Sequence, residues 1–480
     1  MQPLTAIEAN LLELEDRRGV HMHCGCTLLF SGAAPSLERF KQHVRSRLDL
    51  TPRYRQRVVS ASGCLHRAAW IDDPLFELDY HVREAALPSP ADDATLRELI
   101  GALLSQRLDH GKPLWELWLL GPLAGERFAV FAKSHAALID GDPNLELLSV
   151  LLEDPAREPP AAPPPAATPP AAAPAAPAAW SPPPPPSRAQ LALGLLASRR
   201  ANPLPPLTLA GGMLARLREE LQWRQTAGAG GATPPCLLNR SVGLTRSYAT
   251  LEVGLGRLRR ERERLGGTVN DAVLTAVAGA LGRYLRHHGE DTDGLVLRAL
   301  LPLADAASPG LLASHVPLPV GIADPRRRHA EISRALDGLH SSGRARAARE
   351  LTALDGFPPP TLLGQAARLA AGQHAFNVVV TNVPGPLGAR ELLGAELRGV
   401  LGAVPLAPHQ TLSVTLVSHR GRLHFGLLAD SAAIGDLDLL AGLLEDSLGE
   451  LRKGARGKQA SREAAVRVAR HAVERDHDGG

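Results

Sequence analysis

From Pro155 to Pro186, 15 of the 32 residues are proline and most of the others are alanine. Proline lacks the backbone donor and crowds the preceding turn, so this run excludes both a helix interior and a central strand. With no apolar bulk to bury, it predicts an extended, polyproline-like, partly disordered linker, with Trp180 as its one bulky residue. At 480 residues the chain is also too long for a single ordinary core. The run therefore divides it. An N-terminal domain is expected over residues 1–154, the linker over 155–186, a helical connector and loop over 187–235, a C-terminal domain over 236–453 and a charged tail over 454–480.

The first segment mixes helical periodicity (Ala6 to Leu14, Leu37 to Leu48, Ala94 to Leu108) with short strand patterns (Cys24 to Phe30, Trp115 to Leu120, Phe128 to Ala132). That alternation predicts an α/β layer domain. In the second segment the clearest helix runs from Val269 to about Arg286, with Thr268 as N-cap and Gly289 past its end. Val273, Val277, Leu281 and Leu285 form one stripe, and the scarcity of polar residues predicts burial. Strands are expected over Phe376 to Thr381, Leu412 to Ser418 and Leu423 to Leu428. The last two flank His419-Arg420-Gly421-Arg422, which suits a hairpin turn.

Lys133-Ser134-His135-Ala136-Ala137-Leu138-Ile139-Asp140-Gly141 follows the strand pattern Phe128 to Ala132 and precedes a helical one with Asp142 as N-cap and Pro143 at the first position. A strand that delivers a histidine, an aspartate and a glycine to a turn is a place for chemistry. Composition narrows the classes available. The chain has 53 basic and 50 acidic residues, a net charge of +3, and 4% aromatics, which gives no general argument for nucleic-acid binding. Four sparse cysteines (Cys24, Cys26, Cys64, Cys236) read as reduced thiols rather than a disulfide framework. Neither a secretory signal nor an apolar run long enough to span a bilayer is visible, so the expected location is cytoplasmic, with peripheral contact to the inner face of a membrane left open.

The segment at 133–141 resembles the H-H-x-x-x-D-G stretch of bacterial wax ester synthase/diacylglycerol acyltransferases. Other segments fall in the family's order. Met22-His23, Leu108-Asp109 and Pro113-Leu114-Trp115-Glu116 are similar to its N-terminal patterns. Leu238-Asn239 with Gly243 and Arg246 is similar to L-N-x-x-x-G-x-x-R, and Asn270-Asp271 to an N-D motif at a helix start. Leu318-Pro319-Val320 with Asp324-Pro325, and Asn382-Val383-Pro384-Gly385-Pro386, complete the set. The resemblance implies an α/β fold of two similar CoA-dependent-acyltransferase-type domains, each a mostly mixed sheet with helices. It implies transfer of a fatty acyl group from acyl-CoA to diacylglycerol or a long-chain alcohol in a channel between them. Acyl-CoA is then a co-substrate, no cofactor or metal is expected, and the partners are acyl-CoA, a lipid or alcohol acceptor and a membrane or lipid-droplet surface.

The resemblance also exposes a departure. Counting back from Asp140 puts His135 at the first histidine of the motif and Ala136 at the second, which in the family is regarded as the general base. An alcohol attacks poorly until its proton is taken, and alanine takes none. Strand alternation sends Ser134 and Ala136 to one side and His135 to the other, which favours a structural His135 over a substitute base. Asp140 is expected to fix the loop and Gly141 to allow its turn. Asn270 and Asp271 are open to two readings, a substrate-side element or simple satisfaction of helix-end N–H groups behind Thr268. A metal reading of His21-Met22-His23-Cys24-Gly25-Cys26 fails because the histidines and cysteines alternate faces. Arg326-Arg327-Arg328 reads as a solvated face that can also meet CoA phosphates or anionic lipid. Two rivals to an O-acyltransferase stand: a catalytically silent homologue that binds acyl-CoA or lipid, motivated by Ala136, and a related transferase that uses a carrier-protein thioester or another acceptor.

Overall fold

The computed structural model describes residues 2–18, 20–60, 68–139, 147–155, 184, 186–187, 190, 236–304, 311–341, 363–364, 366–368, 376–386 and 388–451. Asp140, Gly141, nearly all of the Pro/Ala-rich run with Trp180, nearly all of the segment expected as a helical connector, and the charged tail lie outside the described residues.

The first half contains β1 (Gln2–Pro3), α1 (Ala6–Arg18), β2 (His23–Ser31), α2 (Leu37–Arg47), β3 (Gln56–Ser60), β4 (Ala68–Asp72), α3 (Leu78–His81), β5 (Val82–Ala85), α4 (Asp93–Ser105), β6 (Trp115–Leu123), β7 (Arg127–His135) and α5 (Leu147–Leu151). The second contains β8 (Arg246–Gly254), α6 (Leu255–Leu265), α7 (Val269–His287), β9 (Leu297–Ala304), β10 (Leu311–Leu318), α8 (Pro325–Ser341), β11 (Val378–Pro384), β12 (Glu391–Leu392), β13 (Ala395–Ala403), β14 (Leu412–His419) and β15 (Arg422–Asp430), followed by a helix over 437–451.

Two six-stranded sheets organise these elements, in the orders β12-β13-β2-β7-β6-β5 and β10-β9-β11-β14-β15-β8. Both are mixed, since β5 runs parallel to β6 and β11 runs parallel to β9 and β14 while the other pairs are antiparallel. The expected division at residue 236 follows the chain but not the sheets. β13, from the second half, pairs antiparallel with β2, matching Ala403 to Gly25 and Leu397 to Phe30. A crossing strand of this kind has no local signature, because periodicity records burial and not which neighbour supplies it.

Gly101 on α4 sits where an added Cβ would lie 2.9 Å from the Arg246 carbonyl oxygen, so helix and strand β8 meet backbone to backbone. On the other side, α7 is buried from Val269 to Leu285 with few interruptions, as its composition predicts. Its N-cap is Thr268, whose hydroxyl accepts the Asp271 N–H at 3.3 Å. The β14–β15 hairpin turns through Arg420 and Gly421, both at positive φ (46° and 75°), a geometry that glycine adopts without strain.

Candidate functional site

β7 carries the candidate motif between β2 and β6, pairing His135 with His23, and both Ser134 and Lys133 with β6 at Trp115 and Glu116. The expected strand end at Ala132 is extended to His135 because both neighbours continue the ladder. Lys133 is fully buried, with Nζ 3.2 Å from Glu116 Oε2 and donating to the carbonyls of Leu103 (3.0 Å) and Gln106 (3.2 Å). Burial lowers its pKa, and the adjacent Glu116 carboxylate opposes that fall. Trp115 Nε1 donates to the Tyr54 carbonyl at 2.7 Å, and its ring stacks on His81 at 4.5 Å. The P-L-W-E segment thus anchors the motif strand.

His135 faces α1. Its Nε2 lies 3.0 Å from Glu15 Oε2, and its Nδ1 accepts the Ala137 N–H at 3.0 Å. A backbone N–H is always a donor, so Nδ1 is unprotonated and the ring proton sits on Nε2 against the carboxylate. Neither nitrogen has a lone pair left for an acceptor's proton. Burial also depresses the His135 pKa, with Glu15 opposing, and the side chain has no solvent exposure.

Glu15 gathers more than His135. His23 Nε2 lies 3.2 Å from Oε1, Arg107 Nε donates to Oε1 at 3.1 Å, and His110 Nε2 lies 3.6 Å from Oε2. Burial alone would raise this carboxyl, but the imidazoles of His110, His135 and His23 gathered around it outweigh that and hold it well below the ordinary range. It stays anionic. His23, buried beside it, is pushed down to about 3 by desolvation, against the pull of Glu15. Sequence reasoning missed both Glu15 and His110. The signal for Glu15 was available, since it lies three and four residues after Leu12 and Leu11, on the buried stripe of its own helix. His110 sits in a loop and has no such signature.

Glu15, His110 and His135 bring one donor atom each within 4.8 Å of one another, the spacing of a cation site. The His135 tautomer does not fit one, because Nε2 carries the proton that a metal ligand must lack.

Ala136 is completely buried at the motif's second position. Its N–H donates to the Met22 carbonyl at 2.9 Å. Arg368 holds the following turn from the second half of the chain: Nε donates to the Ala136 carbonyl at 3.1 Å, and Nη2 bonds the Ala137 and Ile139 carbonyls. The backbone expected to present a base is therefore fixed, while the side chain there is a methyl group.

The other motif residues are held by specific partners. Asn239 donates to the Phe376 and His409 carbonyls at 3.1 and 3.2 Å. Asp430 takes the Gly243 N–H at 2.6 Å and lies 3.7 Å from Arg246 Nη1. Asp324 caps α8 through the Arg326 and Arg327 N–H groups at 2.9 and 2.7 Å. Asp271 accepts the Ser333 hydroxyl at 2.6 Å and is also bonded by Thr268. Its carboxylate is thus occupied at the helix end. Asn270 instead accepts from Asn382 at 2.6 Å, which links the N-D segment to the N-V-P-G-P segment.

Comparison with known proteins agrees with this arrangement. Residues 4–273 match the wax ester synthase/diacylglycerol acyltransferase catalytic domain, and residues 312–452 match the C-terminal domain of the same family. The chain belongs to the wax ester synthase/diacylglycerol acyltransferase family. A Mycobacterium tuberculosis protein named "probable diacylglycerol O-acyltransferase" is 32% identical over 453 residues, 90% of this chain and 95% of that one. A second protein of that name and organism is 27% identical over 94% of this chain and 96% of its own. Among solved structures, the wax ester synthase/diacylglycerol acyltransferase of Marinobacter aquaeolei shares the fold, with a TM-score of 0.67 at 24% identity over 95% of this chain and all of that one. A condensation domain of the calcium-dependent antibiotic synthetase shares it more distantly, with a TM-score of 0.53 at 17% identity over 95% of this chain and 96% of that domain. The two mixed sheets are thus those of an acyltransferase and condensation-domain architecture. No helix among the described residues is long and apolar enough to cross a membrane.

Proposed function

We propose that this family member is an O-acyltransferase that moves a fatty acyl group from acyl-CoA to diacylglycerol or a long-chain alcohol, at a rate reduced by Ala136. The acceptor oxygen bonds to the thioester carbonyl carbon, the C–S bond breaks, and the acceptor's proton ends on the released CoA thiol. In the absence of the motif's second histidine, solvent must relay that proton. General-base assistance is worth about 10²- to 10⁴-fold, so turnover is slowed without being forbidden. The observation that carries this reading is the match of both family domains across the two halves, with the motif backbone still pinned by Arg368 and Met22.

The acceptor is a lipid, and the surface of α6 suits an anionic interface. Arg257, Arg259, Arg260 and Arg264 are exposed along it. We place the working enzyme at a membrane or lipid-droplet surface. The activity test is direct: purified protein with palmitoyl-CoA should release CoA faster when diacylglycerol or hexadecanol is added. Absence of any acceptor-dependent release would overturn the reading, and binding of palmitoyl-CoA without release would leave a silent acyl-binding homologue.

A further inference from the structure

Alternation along β11 sends Val379 and Val383 into the core shared with the motif turn, and Val378 and Val380 into the core around α7. Asn382 falls on the α7 side, near the carboxyl end of a strand parallel to both its neighbours. The crevice outside such strand ends is where open α/β sheets bind ligands. Asn382 Nδ2 donates to Asn270 Oδ1 at 2.6 Å, on the first turn of α7. That bond engages one polar atom of each side chain. Asn382 Oδ1 accepts no hydrogen bond among the described residues, and it has almost no solvent exposure. Among the described residues, nothing accepts from Asn270 Nδ2, and both residues are half-buried.

One unfilled acceptor and one unfilled donor, side by side, are the complement of a secondary amide, whose N–H donates and whose carbonyl accepts. Turning both side-chain amides over leaves the same count of one donor and one acceptor. A ligand N–H placed there would satisfy this acceptor. Of the substrates proposed above, diacylglycerol and long-chain alcohols carry no N–H. Acyl-CoA carries two secondary amides in its pantetheine arm, close behind the reacting thioester. We propose that Asn270 and Asn382 form a subsite for a pantetheine amide of the acyl donor. The assignment rests on the acyl-CoA reading and gives the N-D and N-V-P-G-P segments a joint role in donor binding.

Calorimetric titration of the full chain with three probes tests it: palmitoyl-CoA, S-palmitoyl pantetheine, which keeps the amides without the nucleotide, and S-palmitoyl thioethanol, which has neither. Asn382→Ala and Asn270→Ala should each weaken the first two by roughly 5- to 10-fold, as expected for a lost hydrogen bond, and leave the third unchanged. If Asn382→Ala does not fold, Asn270→Ala carries the same comparison. Equal weakening of all three probes, or of none, would overturn the amide subsite and leave the acyltransferase reading intact. Failure of the unaltered protein to bind any of the three would overturn both.

Discussion

His135 Nε2 lies 3.0 Å from Glu15 Oε2, and the Nδ1 lone pair on the other side of the ring is taken by the Ala137 N–H. A histidine held at both nitrogens fixes the turn that follows it and abstracts nothing. The proposed weakening therefore traces to one absent side chain, at Ala136, where the backbone is held by Met22 and Arg368.

Restoring that side chain should restore rate. Ala136→His is expected to raise acceptor-dependent CoA release by about 10²- to 10⁴-fold, the usual worth of a positioned base. An unchanged rate in a folded variant would mean that the missing base does not limit turnover. His135→Ala, by contrast, should act on stability first.

Glu15 is the hub of the buried cluster, facing His23, His135, His110 and Arg107. Removing it leaves the buried His23 and His135 imidazoles facing an apolar gap, while Arg107 and His110 keep Asp16 beside them. Glu15→Ala should cost roughly 3–5 kcal/mol, read from the urea midpoint at pH 7. A loss below about 1 kcal/mol would show the cluster to be dispensable.

Stability should fall as the medium is acidified. Burial holds His81 at about 4 and His23 at about 3, below the ordinary 6.5. Between those values and 6.5 the unfolded chain binds protons that the folded chain refuses, so stability is complete above about pH 6.5 and declines as pH drops through the window. His81 stacks on Trp115 and against Phe76, and its Nδ1 bonds the Trp115 carbonyl at 2.8 Å. His81→Phe should keep the stack and remove close to one proton from the slope between pH 6.5 and 4. Urea unfolding at a series of pH values measures it, and an unaltered slope would refute the assignment.

The Lys133–Glu116 pair gives a double-mutant test. Lys133→Met alone leaves a buried carboxylate whose remaining partners are the Trp118 indole N–H at 3.1 Å and Arg83 at 3.8 Å. A loss of about 3–5 kcal/mol is expected. Lys133→Met with Glu116→Gln should recover much of it. Equal losses in the single and double variants would mean that lost packing, not stranded charge, sets the cost.

Gly385 in the N-V-P-G-P segment has a steric reason to be glycine. An added Cβ would stand 2.2 Å from the Ser418 carbonyl oxygen, the atom its own N–H bonds at 2.7 Å. Gly385→Ala should lower stability by about 2 kcal/mol or more. Gly435→Ala, whose added Cβ would meet nothing nearer than 3.8 Å, serves as the neutral comparison in the same thermal melt.

The sequence by itself determined much of this protein. Residues 128–132 had to be a buried strand, Thr268 had to start a buried helix, and His419 to Arg422 had to turn a hairpin, because spacing and turn chemistry act over a few residues. The ordered motifs named the family, and counting back from Asp140 put alanine where the base belongs. Only the tertiary structure decided which way His135 is used. Its partner Glu15 is 120 residues earlier, and the proton's place is fixed by a bond to Ala137 that no pattern encodes. The same holds for β13, which leaves its own half to pair with β2, and for Asn270 and Asn382, joined across 112 residues. Periodicity tells a side chain that it will be buried; long-range packing alone chooses what it is buried against.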